Sequence, residues 1–270
     1  MRIVITGGFG RLGSAVTAQA IARGDQVVAV DRMIPAEVPA GVEAVTLDTS
    51  DYAGVRAVVD GADAVIHLAA YLSPSAAPWE RVYGENTLGS YHALLAAADA
   101  GVSRVCLASS INAIGGVYSI KPRYDYFPID IDHPCYAEDP YSLSKWVLEE
   151  QARSIARRFP ALSIAALRFH AISDRDRLMV SSNSDSAASA RDLWGYSPLS
   201  ASAAVCLATL SADLDGAETF YCVAAETTSA TPTAELLDRH YPTVPRRAPL
   251  SGNTSLYDST PARERLGWPA

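Results

Sequence analysis

Short apolar, β-branched runs alternate along the chain with stretches of helical period. The runs RIVIT (2–6), QVVAV (26–30), EAVTL (43–47), DAVIHL (63–68), SRVCLAS (103–109) and LSIAALRF (162–169) are nearly continuous in hydrophobicity. Helical patterns over 11–23, 51–60, 79–100 and 141–159 are interspersed with them. Strands covered by helices on both faces read this way, because neither face is left polar. The expected fold class is therefore α/β, with a doubly wound parallel sheet. Gly24, Gly61 and Gly101 each stand between a helix and the next strand, where a left-handed cap residue is cheapest.

Two stretches break the rhythm. Residues 111–138 are too long for a simple connection and rich in Tyr and Pro, which predicts a loop that covers something. After Phe169 the chain is irregular and Ser-rich through Ala190, followed by a helix near 199–211, a strand at 218–223 and a helix near 232–239. The expected organisation is one large unit over 1–169, with the 111–138 loop over its site, and a smaller discontinuous region over 170–270 that partly returns to it. There are no internal repeats.

Composition narrows the class. With 270 residues, 49% of them hydrophobic, the chain can bury a sizeable core. It has no apolar run of membrane-spanning length, and Met1 leads directly into a strand without the regions of a signal peptide, so a cytoplasmic protein is expected. A formal charge of −8 argues against a nucleic-acid or anionic membrane surface while permitting a local anion pocket. Cys106, Cys135, Cys206 and Cys222 have no metal spacing and read as reduced residues. His67, His92, His133 and His240 have none either, so no metal is expected.

The stretch IVITGGFGRLGSAV follows the first strand and opens the first helix. Gly8, Gly10 and Gly13 give G-x-G-x-x-G, whereas Gly7, Gly10 and Gly13 give T-G-x-x-G-x-x-G. Either register lets the backbone turn tightly and bring a pyrophosphate to the helix N–H groups. Asp31 ends the second strand, 18 residues after Gly13. A carboxylate there accepts hydrogen bonds from adenosine ribose hydroxyls and repels a 2′-phosphate, which favours NAD; Arg11 and Arg32 keep NADP open.

The helix at 141–159 poses the sharpest question. From Tyr141, its buried stripe runs through Lys145, Leu148, Ala152, Ile155, Ala156 and Phe159, with Glu149, Glu150, Arg153, Ser154, Arg157 and Arg158 opposite. A lysine on the core side is unfavourable unless its ammonium has partners. Either it has a buried role, or it snorkels to solvent from the first turn.

With the glycine loop and YSLSK both in place, the chain resembles the extended short-chain dehydrogenase/reductases of the NAD-dependent epimerase/dehydratase family, and in size and its RDLWGY stretch the uronate and aldose dehydrogenases among them. The resemblance runs almost end to end, through LDT (47–49), HLAAY (67–71), ENTLGSYHALL (85–95), CLASSIN (106–112) and SLYDSTPARERLGW (255–268). It implies a Rossmann domain that binds NAD through Gly7, Gly10, Arg11, Leu12, Gly13, Asp31, Arg32, Asp48, Thr49, Leu68, Ala69, Ala70, Asn86, Ser109, Tyr141, Lys145 and His170. It further implies Tyr141 as general acid/base, Lys145 lowering its pKa from about 10, and Ser110, with Ser109 as the fallback, holding the substrate oxygen.

Substrate residues are less legible. The resemblance points to Tyr71, Ser110, Ile111, Asn112, His170 and Arg175, while Tyr118, Tyr124 and Tyr136 lie in the loop around the expected mouth. His170 reads equally as a loop histidine with its bonds satisfied. Arg175, Arg177 and Arg191 are candidates to bind a carboxylate substrate. Only about 100 residues follow the sixth strand, short for clamping a nucleotide diphosphate sugar, so a smaller polyol, aldose or sugar acid is expected. Ser202 stands where relatives usually carry an aspartate. Three activities remain open: an NAD(P)-dependent oxidoreductase on a carbohydrate-like substrate, an NAD-retaining epimerase or dehydratase, and a non-catalytic NAD(P) sensor. A homodimer through 79–100 and 141–159, with Leu143, Trp146 and Val147 available, is a further implication.

Overall fold

Each continuous apolar run becomes a strand of one parallel sheet. The computed structural model describes residues 1–175 and 186–269. Its strands are β1 (Arg2–Thr6), β2 (Gln26–Asp31), β3 (Val42–Thr46), β4 (Ala64–His67), β5 (Arg104–Ser110), β6 (Ser163–Phe169) and β7 (Ala217–Cys222). They lie in the order β3-β2-β1-β4-β5-β6-β7. All six pairings are parallel.

Side chains alternate across this sheet and fill two cores. Ile3, Ile5, Ile66, Cys106 and Leu167 face α1 (Arg11–Ala22) and the helix Leu199–Ala208. Val4, Val28, Val65, Leu107 and Ile164 face α2 (Tyr52–Val59), α3 (Trp79–Asp99) and α4 (Pro140–Arg158). Burying one such side chain contributes about 1.5–3 kcal/mol, so the layers themselves hold the strand ends in place. Gly24, Gly61 and Gly101 take positive φ at the expected junctions.

The 111–138 stretch is a folded strap that starts with a 3-10 turn, Ile111–Ile114. Phe127 and Ile129 are fully buried in a third core with Leu193, Trp194, Leu236 and Leu256. Backbone bonds from Phe127 N–H to Pro245 O (2.9 Å) and Ile129 N–H to Leu256 O (2.8 Å) tie the strap to the C-terminal part. Tyr124 belongs to this core and donates to Arg191 O at 2.8 Å, and the Tyr136 hydroxyl donates to Asp125, so of the three loop tyrosines only Tyr118 reaches the cleft at the strand ends. The C-terminal part also supplies β7 and the helix Leu199–Ala208 to the main layers. Ser202 there bonds back to Pro198 O instead of capping that helix.

Helix α4 opens on Asp139, whose side chain accepts from the N–H groups of Tyr141 (3.0 Å) and Ser142 (2.9 Å), a cap worth about 1 kcal/mol. One expectation for this helix fails. Glu149 is only 1% exposed, because Arg168 of β6 meets it with Nε to Oε1 and Nη2 to Oε2, both at 2.8 Å. Arg168 is equally buried and also donates to the Tyr221 hydroxyl at 2.9 Å. A period read on one helix cannot show a cation arriving from a strand.

Candidate active site

The C-terminal ends of the strands open into a cleft of ≈ 630 Å³, within the ~300–1,000 Å³ usual for ligand sites. It lies where strand order reverses between β1 and β4, the place such sheets bind ligands. Every residue that the family resemblance assigns to cofactor or substrate, except Arg175, lines it.

The glycine loop adopts the Gly7, Gly10, Gly13 register. Gly7 has φ +67°, and a Cβ on Gly13 would stand 2.0 Å from Gly7 O, so neither position admits a side chain. Gly8 instead backs onto Ala29 and does not line the cleft. Helix α1 starts from Gly10 with no side-chain cap and no acidic residue in its first turn. Its free N–H groups and positive end therefore suit a phosphate.

At one end of the cleft, Asp31 accepts from the N–H groups of Phe9 (3.2 Å) and Arg32 (2.8 Å). The Arg32 guanidinium pairs with Glu85 at 3.1 Å and approaches Asp48 at 3.9 Å. The Ser50 backbone N–H holds the Asp48 carboxyl below its ordinary value. Tyr71 belongs to this end, since its hydroxyl accepts from Arg32 (3.4 Å) and Arg81 (3.0 Å). Glu85, which also holds Arg81 at 2.7 Å, escapes sequence reading because a half-buried helix glutamate carries no local signal.

Leu68, Ala69 and Ala70, which follow β4, line the cleft, as does Thr49. Asn86 is buried with its amide committed: it accepts from Tyr71 N–H (2.8 Å) and donates to Tyr71 O (3.1 Å) and Ser144 Oγ (3.1 Å). It pins the β4 turn to α4.

The other end holds Tyr141, Lys145 and Ser110. Tyr141 and Lys145 are 7% and 5% exposed, so the lysine does not snorkel. Lys145 Nζ donates to Ala108 O at 2.8 Å and lies 5.7 Å from the Tyr141 ring centre. Ser110 lies beside the Tyr141 hydroxyl, near enough to favour its phenolate. Ser109 does not share that role, because its hydroxyl donates to Glu149 Oε1 at 2.6 Å. Burial pushes the Tyr141 phenol up to about 12, with Ser110 acting in the opposite sense, and pushes Lys145 down to about 8. The expected lowering of the phenol is thus not a property of this chain alone; in a dry site desolvation outweighs the neighbours.

Around these groups, Asn112 donates to Ser110 Oγ from its backbone N–H (3.1 Å) and its amide (3.4 Å), and Ile111 and Tyr118 complete the wall. His170 has both ring nitrogens engaged, Nδ1 with Ala171 N–H (2.6 Å) and Nε2 with Asp192 O (2.7 Å), and burial lowers it to about 4. It lines the cleft as a neutral ring. Arg175 points away, to Thr227 O (3.2 Å) and Glu226 (3.6 Å). Arg191 holds Ser119 O (2.7 Å) and Ile120 O (3.0 Å). Arg177 lies outside the described residues. Among the described residues no group of three or more His, Cys, Asp or Glu is placed to hold a metal, and no helix is long and apolar enough to cross a membrane.

Comparison with known proteins fits this geometry. A sequence model described as the NAD dependent epimerase/dehydratase family matches residues 3–179. The dTDP-6-deoxy-L-talose 4-dehydrogenase (NAD(+)) of Aggregatibacter actinomycetemcomitans is 26% identical over 66% of this chain and 63% of its own. The uronate dehydrogenase of Pseudomonas putida is 33% identical over 56% and 54%. The chain thus spans less than two thirds of the length of these curated relatives. The solved structure of MoeE5 in complex with UDP-glucuronic acid and NAD superposes with a TM-score of 0.74 at 21% identity, covering 100% of this chain and 94% of that one.

Proposed function

The chain belongs to the NAD dependent epimerase/dehydratase family, and from that premise we propose that it is an NAD-dependent dehydrogenase acting on a hydroxyl or carbonyl carbon of a sugar or polyol. The observation that carries this reading is one continuous cleft, with a phosphate-binding glycine loop and Asp31 along it and Ser110, Tyr141 and Lys145 at its end.

In the oxidation direction, Ser110 holds the substrate hydroxyl and Tyr141 takes its proton, which forms the carbonyl as hydride leaves the carbon. NAD, when bound, would supply the hydride acceptor and a positive charge that favours the phenolate. Lys145 holds the nicotinamide ribose, and its ammonium also favours the phenolate. The free N–H groups of α1 take the pyrophosphate, and Asp31 takes the adenosine ribose. Arg32 is neutralised by Glu85 and Asp48, which favours NAD over NADP.

A second reading, an epimerase that keeps its NAD, uses the same three residues and is supported by the family whose model matches residues 3–179, the NAD dependent epimerase/dehydratases. Incubation with NAD and a panel of sugars, polyols and sugar acids separates the two. Stoichiometric NADH is expected; sugar conversion without NADH rejects the dehydrogenase. The exposed Trp79, Tyr83 and Tyr91 of α3, beside Leu143 of α4, support a homodimer through these helices.

A further inference from the structure

Asp192 stands at the catalytic end without a part in the proposed proton and hydride transfer. It lines the cleft beside His170, whose ring donates to its backbone oxygen at 2.7 Å. Its Oδ1 accepts from Trp194 N–H at 2.9 Å, and no described residue donates to Oδ2. The turn behind it is strained: Leu193 and Trp194 have φ of 55° and 53°, a left-handed conformation that bulky side chains rarely adopt. Both are almost fully buried, and Trp194 O accepts from Thr228 N–H (2.8 Å) and Thr228 Oγ1 (3.2 Å). The core therefore fixes this carboxyl at the cleft wall.

Among the described residues, the cations that a sugar acid or sugar phosphate needs are directed elsewhere. Arg191 is held by the carbonyls of the strap, Arg175 by Thr227 and Glu226, and Lys145 by Ala108. The remaining polar groups at this end, among the described residues, are uncharged hydroxyl, amide and imidazole groups. We propose that Asp192 is a specificity-determining residue that accepts hydrogen bonds from the hydroxyls of a neutral aldose or polyol and excludes the corresponding sugar acid or phosphate. A carboxylate substituent meets a fixed carboxyl in a partly desolvated site, where like charges repel strongly. Burial raises Asp192 to about 6, which leaves it charged at neutral pH. The inference rests on the proposed site, with the reacting carbon beside Tyr141; Asp192 binds a more distant part of the ring.

Binding, measured without turnover, separates this inference from the dehydrogenase reading. NADH-loaded protein is titrated with glucose, glucuronate and glucose 6-phosphate, and with galactose and galacturonate, by ligand-observed NMR. At least one neutral sugar is expected to bind about tenfold or more tighter than its charged partner. Asp192→Asn keeps the Oδ1 acceptor for Trp194 N–H and removes the charge; it should bring that ratio to within about threefold. A charged ligand binding as tightly as its neutral partner, a ratio unmoved by Asp192→Asn, or binding by neither class overturns the inference. Neutral-sugar binding by the wild type without NADH formation from NAD supports it while rejecting the dehydrogenase.

Discussion

Ser109 donates a 2.6 Å hydrogen bond to Oε1 of Glu149, the carboxylate that also receives the Arg168 fork. Ser109 lies on the α4 side of the strand with Leu107 and is committed to the ion pair, whereas Ser110 ends the strand in the cleft beside Tyr141. Ser110→Ala is expected to lower kcat about 10²-fold or more with little loss of stability. Ser109→Ala should instead cost about 1–3 kcal/mol of stability and leave kcat nearly unchanged. Kinetics and urea titration of the two variants check this; equal losses of kcat contradict it.

Glu149 and Arg168 are both 1% exposed. Glu149→Ala leaves a buried guanidinium without its counter-charge and should cost about 3–5 kcal/mol. Glu149→Leu combined with Arg168→Met should recover most of that loss, because no unpaired charge remains. Urea midpoints of the single and double variants decide it, and additive losses reject the coupling.

Acid should destabilise the fold through two histidines. Burial lowers His67 to about 3 and His170 to about 4, from an ordinary 6.5. Their contribution is present above about pH 6.5 and is lost as pH falls from there through those values, since the unfolded chain binds protons that the folded chain refuses. Asp192, raised to about 6, opposes this in part, its destabilising effect fading as pH falls below that value. Urea unfolding from about pH 7 to about pH 4 should show stability falling, with net proton uptake on unfolding; a flat profile is the contrary result.

Strands and helices are legible in the amino-acid sequence because periodicity reports burial on each element separately, and what escapes it shares a cause. Glu149 reads as solvent-facing because its partner sits on another element, although an arginine inside the apolar run LSIAALRF is itself a sign of a buried ion pair. Asp192 is silent in RDLWGY because two left-handed residues, which no local propensity predicts, aim it at the cleft. The phenol of Tyr141 shifts against expectation because the neighbouring lysine is visible in the sequence and the depth of burial is not. Arg175 is singled out because a carboxylate substrate would want an arginine fork, on an irregular segment where no period sets direction.

Cofactor choice should turn on Arg32. Glu85 and Asp48 neutralise it, and Asp31 stands beside it. NAD should therefore exceed NADP in kcat/KM by about 10²-fold or more, and Glu85→Gln should raise the NADP value about tenfold by freeing the guanidinium for a phosphate. A preference for NADP in the wild type contradicts this assignment.

The proposed chemistry depends most on the Tyr141 hydroxyl as the group that moves the proton. Tyr141→Phe keeps the ring and its packing and removes only that hydroxyl. The decisive measurement is turnover with NAD and the best sugar, beside NAD affinity by titration, for this variant. A kcat reduced about 10³-fold with NAD affinity within about threefold of the wild type is expected; turnover close to wild type contradicts the assignment.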